Sequence, residues 1–334
     1  MAHLLDMTKG EAAFARVEGS RDAWHGLGRT FAVDASIEQI AEAAGLDYHV
    51  ARVPSFFKKG EGFEEVSNAF HLIRDDSMSP IGVPVSASYH PVQPIEALEF
   101  MRDFFTVDDR FTMETAGALK GGAVIWALAR FNDSQGLTTI GGAKHELYAM
   151  LATSFDKSRA TMLRGTSTCV VCDNTLRMSD RDAATTLKIT HRTKFAGRVR
   201  DDAARDFATL VQGFEKFKAM GDAFAQVTMS KEDVSAFFKT LLDIPLTDKS
   251  SDISGRKQGQ FMELCRALQT ANRAEAASAP MSKFAALQAV TRYVDHERST
   301  RDNGDGVSLS RLYSAQFGSG ADMKTRAVDL LLAA

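Results

Sequence analysis

The amino-acid sequence predicts an α+β protein, with an antiparallel-sheet body over residues 1–200 and a helical region over residues 201–334. In the body, short apolar runs of strand length are separated by Gly, Pro and Asn, which are common in turns. After residue 201, apolar residues recur at intervals of three and four, which is the spacing of one helix face. This change of period sets the predicted boundary.

The predicted elements of the body are strands, a β-hairpin and two helices. The run AVIWALARF (123–131) follows a glycine pair, so we expect a hairpin that turns at Lys120-Gly121-Gly122, with Val124, Trp126 and Leu128 on one side. Helices are predicted over residues 94–105, where Pro94 suits the first turn, and after Ser36, which suits an N-cap. Further strands are expected over residues 48–57, 69–74, 81–89, 146–155 and 161–172.

The helical region divides at a polar stretch. An apolar stripe over residues 207–224 predicts one helix, and Ser230 with Asp233 has the spacing of a capping box that opens the next. Residues 247–259 are polar and charged, and they are predicted to form a loop. A further helix is expected after Ser282.

Composition limits the classes of protein to consider. The chain has 334 residues, of which 44% are hydrophobic and 25% charged, as is usual for globular proteins. The net charge of −3 gives no overall attraction to nucleic acid or to acidic membranes, so such a surface would have to be local. No apolar run approaches the roughly 20 residues that span a bilayer, and no signal-peptide block opens the chain. We therefore expect a cytoplasmic protein without membrane contact.

Cys169 and Cys172 have the spacing of a metal-binding or redox pair. A structural zinc site needs four ligands, and neither a second cysteine pair nor closely spaced histidines accompany them. A thioredoxin-like pair lies at a helix N-terminus, whereas the two valines between these cysteines favour a strand. We expect reduced, metal-free thiols near a strand end, with a helix capped at residues 173–175, and we assign no cofactor.

Local enzyme motifs are absent from the sequence. It contains no phosphate-binding G-x-x-x-x-G-K-[ST], no G-x-S-x-G and no H-E-x-x-H. His25 and His90 have the most unusual neighbours among the eight histidines, and a structural role is the commoner one for such residues. No catalytic residue is assigned, and an enzyme that acts on nucleotides or other phosphorylated small molecules stays an alternative.

Positive charge is concentrated between residues 157 and 200. This basic segment has ten Lys or Arg residues and three Asp residues, so its net charge is 10 − 3 = +7 and the rest of the chain carries −3 − 7 = −10. Such a segment is typical of a polyanion-binding surface, and the alternative is a solvated surface whose bases pair with acids elsewhere. Arginine outnumbers lysine by seven to three, which suits bidentate contacts with phosphate.

The basic segment predicts a surface for single-stranded DNA, and strand annealing is the specific activity considered. The predicted nucleic-acid-binding residues are Arg159, Arg164, Asn174, Arg177, Lys188, Arg192, Lys194, Arg198 and Arg200, with Trp24 and Phe195 as stacking platforms. Besides the enzyme, a third class stays open, namely an inhibitor of a host factor that acts through protein contact. A homo-oligomer is also left open, because the helical stripes are wide enough to pack against a neighbouring subunit.

Five short motifs occur in a defined order over roughly residues 20–300. They are Trp24-His25-Gly26-Leu27-Gly28, Tyr89-x-x-Val92-Gln93, Cys172-Asp173-Asn174-Thr175-Leu176, Thr190-His191 and the run from Ala289 to Tyr293-Val294-Asp295-His296. Together they resemble the phage/plasmid-like protein family that is defined by a domain of unknown function. This chain has Pro94 and Thr168 where that family usually has Asn and Arg. The resemblance implies an origin in a phage, prophage or plasmid and action in the cytoplasm, without implying a mechanism.

Overall fold

A computed structural model describes most of the chain. The described residues are 6–20, 28–105, 110–132, 138–158, 160–169, 175–177, 186–189, 195–247, 255–274, 281–298, 314–316 and 318–334. Within these ranges two β-sheets are combined with helices that lie mainly in the C-terminal half. The predicted α+β fold class is confirmed.

Twelve strands are assigned within the described ranges. They are β1 (Phe14–Val17), β2 (Arg29–Phe31), β3 (Val50–Lys59), β4 (Gly62–Arg74), β5 (Pro80–Val85), β6 (Phe111–Leu119), β7 (Val124–Phe131), β8 (Thr138–Ile140), β9 (Ala143–Ser154), β10 (Thr161–Cys169), β11 (Thr175–Arg177) and β12 (Thr186–Ile189). Nine of them form one sheet in the order β11-β10-β9-β7-β6-β1-β2, with β12 also on β10 and β8 on β9. Only β1 and β2 pair in parallel in this sheet, and β3, β4 and β5 form a separate antiparallel sheet.

The helices pack against the large sheet and against one another. They are α1 (Ile37–Ala43), α2 (Pro94–Phe105), α3 (Phe195–Gln226), α4 (Lys231–Leu241), α5 (Gly255–Ala274), α6 (Lys283–Arg292) and α7 (Ser319–Ala333), with a π-helical turn (Tyr293–Glu297) after α6. Helix α2 has the predicted bounds. Ser36 and Ser230 each accept a backbone hydrogen bond in a capping box, as predicted for the starts of α1 and α4.

Two of the local predictions are wrong. Thr175 begins strand β11 instead of capping a helix, because a short polar turn such as Asp-Asn-Thr suits a strand connection as well as an N-cap. Helix α5 begins at Gly255, inside the stretch predicted to be a loop, and its first residues are polar because they face solvent. At residues 255–260 polar composition marks exposure and does not distinguish a loop from an exposed helix turn.

Both faces of the large sheet are covered. On one face, Leu151 and Leu163 belong to the same hydrophobic cluster as Phe214 of α3 and Leu287 of α6. This cluster therefore includes residues on both sides of residue 200, and the domain boundary proposed there stays a prediction. The large sheet provides the layer on which the helices are packed.

The opposite face carries a second, smaller cluster. Phe14, Trp126, Met150 and Met162 belong to it, and the rings of Phe14 and Trp126 stack with centroids 5.8 Å apart. The predicted hairpin of β6 and β7 is confirmed, and its residues Val124, Trp126 and Leu128 lie on this face as expected. The alternation of faces along β7 therefore separates the two clusters.

A buried ion cluster joins the two sheets. Arg74, at the end of β4, has a side chain that is 1% exposed and donates to the carboxylate of Asp6, which is 2% exposed. Its Nε and Nη2 atoms also donate to both carboxylate oxygens of Asp76, at 2.9 and 2.7 Å. Burial opposes both charges, but the hydrogen bonds between the partners outweigh it, so the pKa of Arg74 is raised and that of Asp76 is lowered.

The same cluster holds the β6–β7 turn. The guanidinium carbon of Arg74 lies 3.8 Å from the centroid of the Tyr48 ring, and the Tyr48 hydroxyl donates to the carbonyl oxygen of Gly122 at 3.3 Å. A Cβ atom at Gly122 would lie 2.8 Å from the guanidinium, and this residue has φ of +90°. Glycine is therefore required at residue 122 both for the turn and for the approach of Arg74.

Breaking the cluster is expected to destabilise the fold. The substitution Arg74→Met keeps most of the side-chain volume but leaves the buried carboxylate of Asp6 without its cation, so the free energy of unfolding should fall by about 3 to 5 kcal/mol. Urea denaturation measures this. The control Arg102→Met removes an exposed arginine that pairs with its neighbour Asp103, and it should change stability by less than about 0.5 kcal/mol. Equal effects of the two substitutions would contradict the role of Arg74.

Candidate nucleic-acid interface

The basic segment begins at the turn between β9 and β10, which is anchored on the small sheet. The Lys157 ammonium donates to the carbonyl oxygen of Pro84 at 2.7 Å, and the Ser158 amide donates to the Asp156 carboxylate at 2.9 Å. Gly82 has φ of +71°, and a Cβ atom there would lie 2.2 Å from the carbonyl oxygen of Phe155. This close approach fixes the position of the turn against β5.

The middle of the basic segment forms one end of the large sheet. Strand β9 occupies one edge of β10, so β11 and β12 share the other edge. In the register of these strands, Lys188 lies opposite Met162 and Arg177 lies opposite Thr166. Two of the predicted binding residues therefore lie on the same edge of β10, at register positions four residues apart.

Arg164 does not have the predicted surface position. Its side chain is fully buried on the face of the smaller cluster, and its Nη2 donates to the carbonyl oxygen of Gln316 at 2.9 Å and lies 3.8 Å from the sulfur of Met150. A count of charges along the sequence does not distinguish a buried arginine from an exposed one. In this structure Arg164 links the edge of the sheet to residue 316 and is not available to a phosphate.

The other predicted residues lie on α3 or outside the described residues. Phe195, Arg198 and Arg200 are in the first two turns of α3, a helix that contains no acidic residue in its first turn. Six residue steps separate the end of β12 from Phe195, so the start of α3 lies within about 20 Å of the sheet edge. The predicted residues that lie outside the described ranges are Trp24, Arg159, Asn174, Arg192 and Lys194.

Several residues of the sequence motifs have structural contacts. Both the oxygen and the nitrogen of the Gln93 side-chain amide bond to the backbone of Val50, at 2.8 and 3.1 Å, so that this amide acts as a short piece of strand beside β3. Asp295, in the π-helical turn, pairs with the buried ammonium of Lys324. These contacts are long-range in sequence, and for that reason no local pattern predicts them.

The enzyme alternative predicts a closed pocket that holds His25 or His90 beside a carboxylate. An open cleft lies beside Arg74, but its charged lining contains no histidine, and its acids are offset by cations. The charged residues that line it are Asp6, Lys9, Glu11, Arg29, Glu42 and Arg74. Within the described part of the chain, His90 makes no hydrogen bond to a carboxylate, and His25 lies outside it. This cleft therefore lacks the predicted acid–base pair.

The structure shows whether other side chains could form a metal-binding site with the cysteines. Among them, no group of three or more His, Cys, Asp or Glu side chains could hold a metal ion. Cys169 ends strand β10, where its backbone lies opposite His145, and Cys172 lies outside the described ranges. Cys265 is half-buried on α5, and burial raises the pKa of its thiol.

His145 is a buried titratable group at the junction of the sheet and α6. Its ring meets the edge of the Phe284 ring, with centroids 6.2 Å apart, and its side chain is fully buried. Burial lowers the pKa of His145 to about 4, so the imidazole is neutral at neutral pH. The folded state therefore binds fewer protons than the unfolded state between pH 6.5 and 4.

Acid should destabilise the protein through His145. The contribution of neutral His145 to the free energy of unfolding is fully present above the unfolded histidine pKa of about 6.5. It is lost as pH falls toward 4, and the loss is on the order of 3 kcal/mol. In His145→Gln, which cannot titrate, the decrease in unfolding free energy from pH 7 to pH 4 should be smaller by that amount. Urea denaturation at several pH values measures the free energy of unfolding of both proteins. If this free energy decreased equally with falling pH in the wild type and in the variant, the role of His145 would be contradicted.

The comparisons with known proteins identify a family without a known activity. A family model described as Domain of unknown function (DUF932) matches residues 82–315, an interval that contains β6 to β12 and the helices α2 to α6. No curated protein and no solved structure matches the chain. In the described ranges, no helix combines the length and the apolar character needed to cross a bilayer. The match covers well over half of the 334 residues, and the chain belongs to the DUF932 family.

Proposed function

We propose that this protein binds single-stranded DNA through the basic segment 157–200, and that strand annealing is its activity. The observation that carries the proposal is the concentration of charge, +7, in a segment whose β10, β11 and β12 make up one end of one sheet. Within the described residues, Arg177 and Lys188 lie on strands that pair with the same edge of β10, and this supports the proposal. A gathered set of cations can neutralise several adjacent phosphates of one strand.

The net negative charge of the chain does not oppose this proposal. At physiological ionic strength, charges are screened over a Debye length of about 8 Å. A phosphate at the sheet edge is therefore affected by the nearby bases more than by acids on distant parts of the surface. Without the buried Arg164 the segment still has nine bases and three acids, a net charge of 9 − 3 = +6.

We also propose that the protein comes from a phage, prophage or plasmid and acts in the cytoplasm. The five sequence motifs support this origin through their resemblance to the phage/plasmid-like family. Single-stranded intermediates arise whenever such elements replicate or recombine, so a strand-binding activity is consistent with the proposed origin.

The affinity for single-stranded DNA should depend on the salt concentration and on the cations of the basic segment. For a fluorescent oligothymidylate, the logarithm of the affinity should fall linearly with the logarithm of salt concentration, by about 0.7 for each neutralised phosphate. Changing Arg192, Lys194 and Arg198 together to Ala removes three cations, so the slope should become shallower by about 2 and the affinity at low salt should fall. Fluorescence anisotropy at several salt concentrations measures both quantities.

A matched triple variant tests the position of the charges. Arg102, Lys216 and Lys231 are exposed bases outside the segment, and changing them to Ala removes the same total charge. This control should keep the wild-type slope. Equal losses in both variants would contradict a local site, and absence of any binding by the wild-type protein at low salt would refute the nucleic-acid proposal.

A further inference from the structure

The outer half of the β3–β4 hairpin projects from the body of the protein. This part, residues 53–68, is called the arm. Every residue from Phe56 to Glu65 is exposed, including the phenyl groups of Phe56, Phe57 and Phe63. Neighbouring residues of a strand face opposite sides, so both faces of the arm are in solvent between Phe56 and Glu65.

The two edges of the arm are open as well. Strand β5 pairs with β4 only between Phe70 and Ile73, and the side chain of Arg52 reaches the chain at residues 87–89 next to the base of β3. Within the described ranges, no strand pairs with either edge beyond these points. A two-stranded ribbon without further cover is marginally stable in water.

The arm's edges carry features that discourage the pairing of strands. Pro54 lacks a backbone donor, the register shifts between Pro54 and Phe56, and Lys58 and Lys59 follow. Proline, bulges and lysine are the devices by which natural edge strands avoid edge-to-edge contact. A partner is therefore expected on a face of the arm and not along an edge.

One face of the arm has a self-complementary pattern. Phe56 lies opposite Glu65 and Lys58 lies opposite Phe63, so these four residues occupy the corners of a rectangle on the same face. The two phenylalanines are at diagonal corners and are 57% and 76% exposed. This set of four residues is called the corner face.

The charge of the arm argues against a nucleic-acid partner. Its charged residues are Lys58, Lys59, Glu61, Glu64 and Glu65, which gives 2 − 3 = −1. On the opposite face, Lys59 already pairs with Glu64. The arm therefore offers apolar rings with mixed charge, which suits a protein surface and does not suit a polyphosphate.

We propose that the corner face is a contact between two copies of this chain. A two-fold axis along the diagonal from Phe56 to Phe63 stacks each of these rings on its counterpart. The same operation places Lys58 of each copy against Glu65 of the other, so that apolar and charged groups are matched at once. Such a contact is isologous and closed, and it produces a dimer. It does not depend on the nucleic-acid proposal.

The size of the corner face sets the strength of the dimer. The exposed parts of two phenyl groups provide about 250 Å² of apolar surface per chain, against about 800 Å² per partner in a standard stable interface. The contact is therefore expected to be weak, with a dissociation constant on the order of ten micromolar.

Sedimentation velocity of the full chain over about 1 to 100 micromolar tests the proposal. The wild-type protein should change from monomer to dimer across this range, and the double variant Phe56→Ser with Phe63→Ser should stay monomeric. The variant Phe57→Ser is the matched control, because it removes an exposed ring from the opposite face, and it should dimerise as the wild type does.

Charge reversal provides a second test that leaves the phenyl groups in place. Lys58→Glu and Glu65→Lys should each weaken the dimer at least about tenfold, because each substitution brings like charges together across the axis. The two substitutions combined should restore wild-type dimerisation. Reversal of the pair Lys59 and Glu64 on the other face should have no effect on it.

Each contrary outcome overturns the proposal. A wild-type protein that is monomeric throughout the range excludes the dimer, and a dimer that persists in the double serine variant excludes the corner face. If the serine substitutions reduce DNA binding without changing the sedimentation of the protein, the arm belongs to the nucleic-acid surface instead.

Discussion

The guanidinium of Arg74 connects parts of the chain that are far apart in sequence. It pairs with Asp6 near the start of the described chain, chelates Asp76, and lies over Tyr48 beside the β6–β7 turn. A buried arginine is costly unless its donors are satisfied, so the loss of any one of these contacts would destabilise the cluster. Arg74 lies outside residues 82–315, which match the family model, and its contacts join the small sheet to the matched domain. This cluster therefore acts together with the close approach of Gly82 to Phe155 in setting the orientation of the small sheet, and with it the direction of the arm.

The elements that could be predicted from sequence are those whose signals are local. Helix α2 follows from its apolar stripe and its proline, and the β6–β7 hairpin follows from a glycine pair between two apolar runs. The failures share a physical cause, because polar residues indicate exposure and turn propensity without indicating the element that follows. From sequence, Thr175 could cap a helix or begin a strand. It begins a strand because it pairs with Thr168 on β10, and this contact is not visible in the local sequence. Long-range contacts such as that of Gln93 with Val50 cannot be predicted from a local sequence pattern.

The basic segment that forms the candidate interface could be identified from sequence. Which of its side chains are exposed could not be predicted. A charge count identifies residues 157–200 as basic, and the sheet order explains how Arg177 and Lys188 come to lie on the same edge of β10. The same count assigns Arg164 to the surface, whereas the strand alternation places it on the covered face beside Met150. Predicting this burial would require the identity of what covers that face, including residue 316, which is 152 positions further along the chain. The arm was not predicted as a separate feature, because exposed phenylalanines resemble core residues in sequence.

The contact of Arg164 with Gln316 also has a consequence for the order of folding. The strands β9 and β10 are local in sequence and can pair early, but the guanidinium between them acquires its carbonyl partner only after residue 316 has been synthesised. Until then a cation lies on an apolar face without that acceptor. Contacts of such high sequence separation are slow to form, because the loop entropy must be lost before the contact is gained. The edge of the large sheet at β10 therefore gains this contact later than the pairing of β9 with β10.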